Sequence, residues 1–99
     1  MGNSFSVALF WLKDGDRVAR EGWNGRNMWL VLVPGSTITV TEGRPLAKAF
    51  LVGVQVEYLP HIDMKTADNK VVPWLASQTD LLAEDWVRVS GAEGLVECR

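Results

Sequence analysis

Cysteine and histidine are almost missing from this sequence. Cys98 is the single thiol among 99 residues, which excludes an internal disulfide, and its place in a glycine-bearing tail marks it as an incidental thiol. His61 is the single histidine. It forms an HxD pair with Asp63 that a strand would set on one face, but two ligands fall short of the three or four that zinc takes, so neither a metal centre nor a cofactor is expected. No glycine pattern of the Walker or Rossmann type occurs. The longest apolar run, Met28 to Val33, is far too short to cross a bilayer, and the N-terminus lacks the basic segment, apolar core and cleavage site of a leader. The expectation is a cytoplasmic protein with no membrane partner. Positive charge is not in surplus either: ten lysines and arginines stand interspersed among twelve acids, for a net charge of −2. Without a basic stripe, DNA and RNA polymers are poor partners, whereas a small anionic ligand needs only a few local donors.

What is present suffices for one folded unit. An apolar fraction of 47% and a charged fraction of 22% are ordinary for a globular chain. A chain of this size buries roughly two thirds of its unfolded surface, so a single domain over residues 1–99 is expected, with a frayed tail at 90–99 that holds Gly91 and Gly94 and few anchors.

Asn3 or Ser4 can cap a first helix running to about Lys13, with Gly15 as its stop. Phe5, Ala8, Leu9 and Leu12 form one stripe, but Val7, Phe10 and Trp11 make the opposite face apolar too, more than one small core requires. Burial of that face against a second chain is the expectation. Arg17 to Arg20 and Met28 to Val33 read as strands of a hairpin about the Asn24-Gly25 turn. Thr37 to Val40 alternates, Leu46 to Phe50 reads as a helical turn, and Val52 to Tyr58 alternates until Pro60 interrupts. Ile62 to Lys65 and Val71 to Trp74 predict a second hairpin, with Pro73 at an edge. Ser77 followed by Asp80 predicts a capping-box start to a short helix reaching about Asp85, and Trp86 to Val89 a final strand. The sum is an α+β domain with a mostly antiparallel sheet and two or three short helices.

Five tryptophans are many for so short a chain. Each carries a large apolar surface and an indole N–H that needs a partner when dry, so some of them suit a subunit interface or ligand pocket better than a core. Trp11 and Trp86 read as core. Trp23 stands beside a turn and Trp74 just before a helix cap, loop-like settings where binding residues concentrate. Ser77, Gln78, Thr79 and Asp80 have a full structural explanation as a helix start. They also form a polar rim, in which the Asp80 carboxylate would repel phosphate but accept from ribose hydroxyls or a base amine. Asn24, Arg26 and Asn27 are chemically better suited to phosphate oxygens, with Gly25 permitting close approach.

A catalytic reading is harder to assemble. Asp80, Glu84 and Asp85 are the available carboxylates for a nucleotide or sugar hydrolase, yet an exposed acidic helix face explains them as well, and Ser77 has no visible base.

Taken in order, Glu21-Gly22-Trp23-Asn24-Gly25, the stretch from Tyr58 to Asp68 and the stretch from Trp74 to Trp86 resemble the Thoeris anti-defense 2 family, across about Phe5 to Val89. The resemblance implies a phage-encoded sponge that holds, without cleaving, the nucleotide messenger of bacterial Thoeris immunity in the host cytoplasm. It implies small α+β subunits assembled as homotetramers, with glycocyclic ADP-ribose bound between protomers and, in some relatives, cyclic dinucleotides or trinucleotides at a separate site. Matched motif by motif, Trp23, Asn24, Trp74, Ser77, Thr79 and Asp80 are the implied pocket residues, and Arg26 joins them on chemical grounds. Residues 37–53 match no motif of the family, which leaves ligand choice open. A protein-interaction module built on the apolar first helix is a further alternative.

Overall fold

The structure, a computed structural model, describes residues 2–23 and 27–91. The first helix, α1, spans Phe5–Lys13 and buries Ala8 and Leu12. Ser4 occupies its N-cap position without a side-chain bond, and Gly15, at φ +95°, turns the chain into β1 at Arg17–Arg20. A 3₁₀ turn at Glu21–Trp23 follows, and β2 takes Trp29–Val33. β3 (Ser36–Thr39) and β4 (Gln55–Tyr58) enclose a second 3₁₀ turn at Pro45–Lys48. β5 (His61–Lys65), β6 (Val71–Pro73), α2 (Gln78–Leu82) and β7 (Trp86–Val89) complete the order.

Five strands form one sheet in the order β6-β5-β2-β1-β7, and all its pairings are antiparallel. Both predicted hairpins lie in it: Val18 opposes Leu30, and Met64 opposes Val72. Pro73 falls on the edge strand β6, where a missing N–H costs no ladder bond. One face carries α1. Ala8 and Leu12 of the helix meet Val18, Leu30 and Trp86 of the sheet to form a core with no solvent exposure. The fold is the α+β domain that the periodicities predict.

β3 and β4 pair only with each other and stand out from the main sheet as an arm, in a molecule of 50 × 32 × 22 Å. The chain bends into and out of this arm at Pro34-Gly35 and Leu59-Pro60. Gly35 is required there, since a Cβ would sit 2.8 Å from the Tyr58 carbonyl oxygen. The arm has its own small centre at Val40, 1% exposed, while Leu51, Val52 and Leu59 face solvent.

Three expectations are corrected by backbone chemistry. The strand predicted from Val52 begins only at Gln55, because Gly53 at φ +92° and the Val54 N–H bond to the Leu51 carbonyl make residues 51–54 a turn. The helix predicted to reach Asp85 stops at Leu82. Ala83 is already extended, and Trp86 exchanges two backbone hydrogen bonds with Asn3 as β7 begins. The second apolar face of α1 is smaller than predicted: the Arg88 guanidinium stacks on Trp11, 5.7 Å from the ring centroid, leaving Phe10 as the strongly exposed member. Beyond Gly91 the tail expected to fray, Cys98 included, lies outside the described residues, as does the predicted turn at Asn24-Gly25.

Candidate functional site

Trp86 is the hub of an aromatic cluster. It opens β7 on the helix-covered face, where alternation puts Arg20 opposite it on β1. Trp23, carried by the 3₁₀ turn after β1, meets it edge-on at a centroid distance of 5.5 Å. Trp74, just past β6, meets it edge-on at 6.1 Å, and Phe5 of α1 touches both rings. Edge-to-face contacts of this kind add about 0.5 to 1.5 kcal/mol each beyond area burial. The buried indole N–H of Trp86 donates to the Asp80 carbonyl at 3.0 Å, so α2 is fixed over the cluster. Trp23 and Trp74 each remain half-buried: one part of each packs on Trp86 and the other meets solvent.

Arg20 ties these loops together. Its Nη1 donates to Asp80 Oδ1 at 2.7 Å, and its Nε to Asp85 Oδ1 at 2.8 Å. Asp85 in turn accepts the Gly22 N–H at 2.7 Å on Oδ2, while its backbone carbonyl accepts the Glu21 N–H at 3.0 Å. The turn bearing Trp23 is therefore stapled to the segment between α2 and β7. A Cβ at Gly22 would lie 2.8 Å from Asp85 Oδ2, so a side chain there would push the Asp85 carboxylate off its present bonds. The side chains of Arg20 and Asp80 are each 16% exposed, so water screens the pair less than a surface bridge. Hydrogen bonds to Asp85 and then Asp80 raise the Arg20 pKa, and Arg20, followed by the Gly22 N–H, holds the Asp85 carboxyl below its ordinary value.

The Ser77 hydroxyl accepts the Asp80 N–H at 3.1 Å, a true N-cap for α2. The expected capping box is only half made, because the Asp80 carboxylate turns to Arg20 rather than back to the Ser77 N–H. Ser77→Ala is expected to cost about 1 kcal/mol of stability, read from a urea midpoint with unchanged slope. A shift under about 0.2 kcal/mol would mean that α2 is held by its Trp86 and Arg20 bonds and not by the cap.

Of the residues singled out by sequence, Trp23, Trp74, Ser77 and Asp80 thus meet around one cluster. Thr79 is exposed on α2, and Asn24 and Arg26 lie outside the described residues. Arg20 and the structural part of Asp85 were missed by motif reading, yet a signal existed: in β1 the alternation places Arg20 on the same face as core Val18, an odd seat for an unpaired cation.

The cluster is poorly equipped for acid–base chemistry. Asp85 is held anionic, the reverse of what a general acid needs. His61 is elsewhere, on β5, with Nε2 3.5 Å from Asp63 and Nδ1 3.3 Å from the Leu59 carbonyl. Among the described residues no group of three or more His, Cys, Asp or Glu could hold a metal. Among the described residues no helix is long and apolar enough to cross a membrane. A cavity of about 370 Å³ exists on the arm, between Val40, Arg44, Leu46 and Tyr58, and none of the sequence-predicted site residues lines it.

Comparison with known proteins covers the span that holds this cluster. Residues 3–89 match the family model described as a Thoeris anti-defense 2-like domain. The chain is also 45% identical over 93 residues to Thoeris anti-defense 2 of Bacillus phage SP01, covering 88% of this chain and 94% of that protein. Matched over most of its length in both comparisons, and carrying the tryptophan-flanked motifs within the matched span, the chain belongs to the Thoeris anti-defense 2 family.

Proposed function

We propose that this protein counters bacterial Thoeris defence for a phage by sequestering the system's nucleotide messenger, a glycocyclic ADP-ribose, in the host cytoplasm without cleaving it. The observation that carries this is the pair of half-buried indoles, Trp23 and Trp74, braced edge-on by Trp86 and locked by Arg20. A sponge needs affinity and slow release, and preorganised aromatic faces beside a polar rim provide both without an acid–base pair. Ser77, Thr79 and the N-terminal end of α2 offer that rim to a sugar or base edge, and Asn24 and Arg26 offer donors to phosphates. Family membership supplies the biological setting.

Assembly into a homo-oligomer, with a tetramer as the proposed state, is part of the same reading. Leu75, at 91% exposed, and Leu82, at 78%, flank the site, and the arm displays Leu51 and Leu59. Apolar surface in these quantities on so small a chain suits pockets completed by a neighbouring copy.

The decisive experiment incubates the protein with glycocyclic ADP-ribose, removes unbound ligand, denatures the complex by heat and assays what is released. Intact ligand is expected; a cleaved product would favour a hydrolase using Asp80, and no capture at micromolar protein would reject both. Trp23→Ala and Trp74→Ala are each expected to weaken binding by about 1 to 3 kcal/mol through lost stacking. Phenylalanine at either position keeps part of the stacking and of the contact with Trp86, so a folded Phe variant of intermediate affinity separates ligand contact from scaffold loss. Light scattering of the free protein checks the assembly: a monomer at binding concentrations refutes the tetramer.

A further inference from the structure

β3 and β4 form a two-stranded sheet on their own, and an isolated pair of strands is marginal in water unless a further layer covers its apolar face. Register and alternation give this ribbon two unlike faces, with Ile38, Val56 and Tyr58 on one and Thr37, Gln55 and Glu57 on the other. The 3₁₀ turn at Pro45–Lys48 brings Leu46 against only part of the apolar face. Val40 is therefore buried, while the groove of about 370 Å³ stays open between Leu46 and Tyr58. On the arm and at its base, Phe50, Leu51, Val52, Val54, Tyr58 and Leu59 are between 39% and 80% exposed. At about 150 to 250 Å² for a large side chain, that is on the order of 600 Å² of apolar surface per copy, the lower end of what one partner buries in a stable interface.

Charge selects the occupant of this surface. The far end of the arm carries Arg44 and Lys48 against Glu42, and the base carries Glu57; all four are exposed, and none makes an ion pair among the described residues. A positive tip and a negative base on one ribbon are complementary to a second copy of the same ribbon. Two arms related by a two-fold axis lie tip to base, which sets the surplus cation of each tip near the partner's Glu57 and brings Leu51 toward the groove beside the partner's Tyr58. We infer that the β3–β4 arm is a homotypic interface, packed face to face on the arm of a second copy with Leu51 and Leu59 buried in the contact. The inference deepens the homo-oligomer part of the reading above by assigning its surface, and it needs no ligand.

Sedimentation of the full chain over a concentration series tests it, with tyrosine ring labelling for NMR as the local reporter, because Tyr58 is the sole tyrosine. The double variant Leu51→Glu/Leu59→Glu is expected to run at half the mass of the unmodified protein. It should keep the near-ultraviolet spectrum of the tryptophan cluster, since both leucines are exposed and stand outside the buried core. Arg44→Glu/Lys48→Glu and Glu57→Lys should each weaken assembly several-fold by setting like charges tip to base. Mixed in equal amounts, these two charge variants should assemble again, because every tip then meets a base of opposite sign, which no folding defect can mimic. The Tyr58 ring signals should shift with concentration in step with the mass. A monomeric unmodified protein overturns the inference and the homo-oligomer reading together. A leucine variant of full mass, or a mixture that restores nothing, overturns the inference alone. So does a full-mass oligomer with unmoved Tyr58 signals, which would leave the groove to a peptide or small ligand.

Discussion

Trp86→Ala is expected to lower the unfolding free energy by about 3 to 5 kcal/mol, the range for removing a fully buried aromatic side chain. The side chain has 0% exposure, so its whole volume becomes cavity unless neighbours collapse inward. They are badly placed to do so. Phe5, Trp23 and Trp74 come from three different segments and use Trp86 as their common surface, so no one of them can fill the space without leaving its own contacts. The indole N–H bond to the Asp80 carbonyl is lost as well, which frees α2. A domain of this size has about 5 to 15 kcal/mol in total, so the variant should unfold at much lower urea and expose Trp23 to fluorescence quenchers. Trp86→Phe separates the two contributions. It keeps most of the packing and removes the indole donor from the Asp80 carbonyl, which retains only the long Ala83 N–H bond at 3.4 Å, so it should cost about 1 to 3 kcal/mol. A Phe variant as damaged as the Ala variant would show that the hydrogen bond, not the cavity, dominates.

Much of this arrangement is legible in the sequence, and the reasons are local. β1 and β7 have the bounds predicted for them, since Arg17–Arg20 and Trp86–Val89 are short alternating runs bounded by turn or cap residues. α1 ends as Gly15 predicts. Errors arose where a tertiary partner outweighed a local pattern. Alternation from Val52 to Tyr58 is continuous in sequence, but the left-handed glycine at 53 breaks it in space. Asp80 reads locally as half of a capping box, and only the distant Arg20, sixty positions away, explains where its carboxylate goes. Lys65 is the extreme case: its alternation marks a strand, and nothing in the sequence marks the residue as buried. Tryptophan count and loop position pointed to Trp23 and Trp74, whereas the role of Trp86 as their shared floor needed the register of β7 against β1.

Arg20→Met should cost about 2 to 4 kcal/mol near neutral pH, somewhat below the usual price of breaking a fully buried pair because the groups retain some exposure. The substitution keeps the bulk of the aliphatic stem and removes the charge. Two carboxylates then face one another beside Trp86 with no cation between them, and the Trp23 turn retains only its Gly22 and Glu21 backbone bonds to Asp85. The pH dependence makes the origin testable. In the unmodified protein the folded Asp85 pKa lies below the ordinary 3.8, so its contribution is present above that value and is lost as pH falls through the lower folded one. In the Met variant Asp85 loses the cation that depresses its carboxyl pKa and gains an uncompensated neighbouring charge, so the sign reverses: protonation of Asp85 relieves the repulsion, and stability is lost as pH rises through its raised pKa. The difference between the two proteins should therefore be largest near neutrality and shrink toward about pH 3, as chemical denaturation at a series of pH values would read it. A difference constant with pH would mean that Arg20 acts through packing of its stem alone. The same variant should bind glycocyclic ADP-ribose more weakly than its residual stability explains, because the Trp23 turn and α2 no longer share a rigid tie. Asp85→Asn, which keeps an acceptor for Arg20 and Gly22 but no charge, should fall between the two in both measurements.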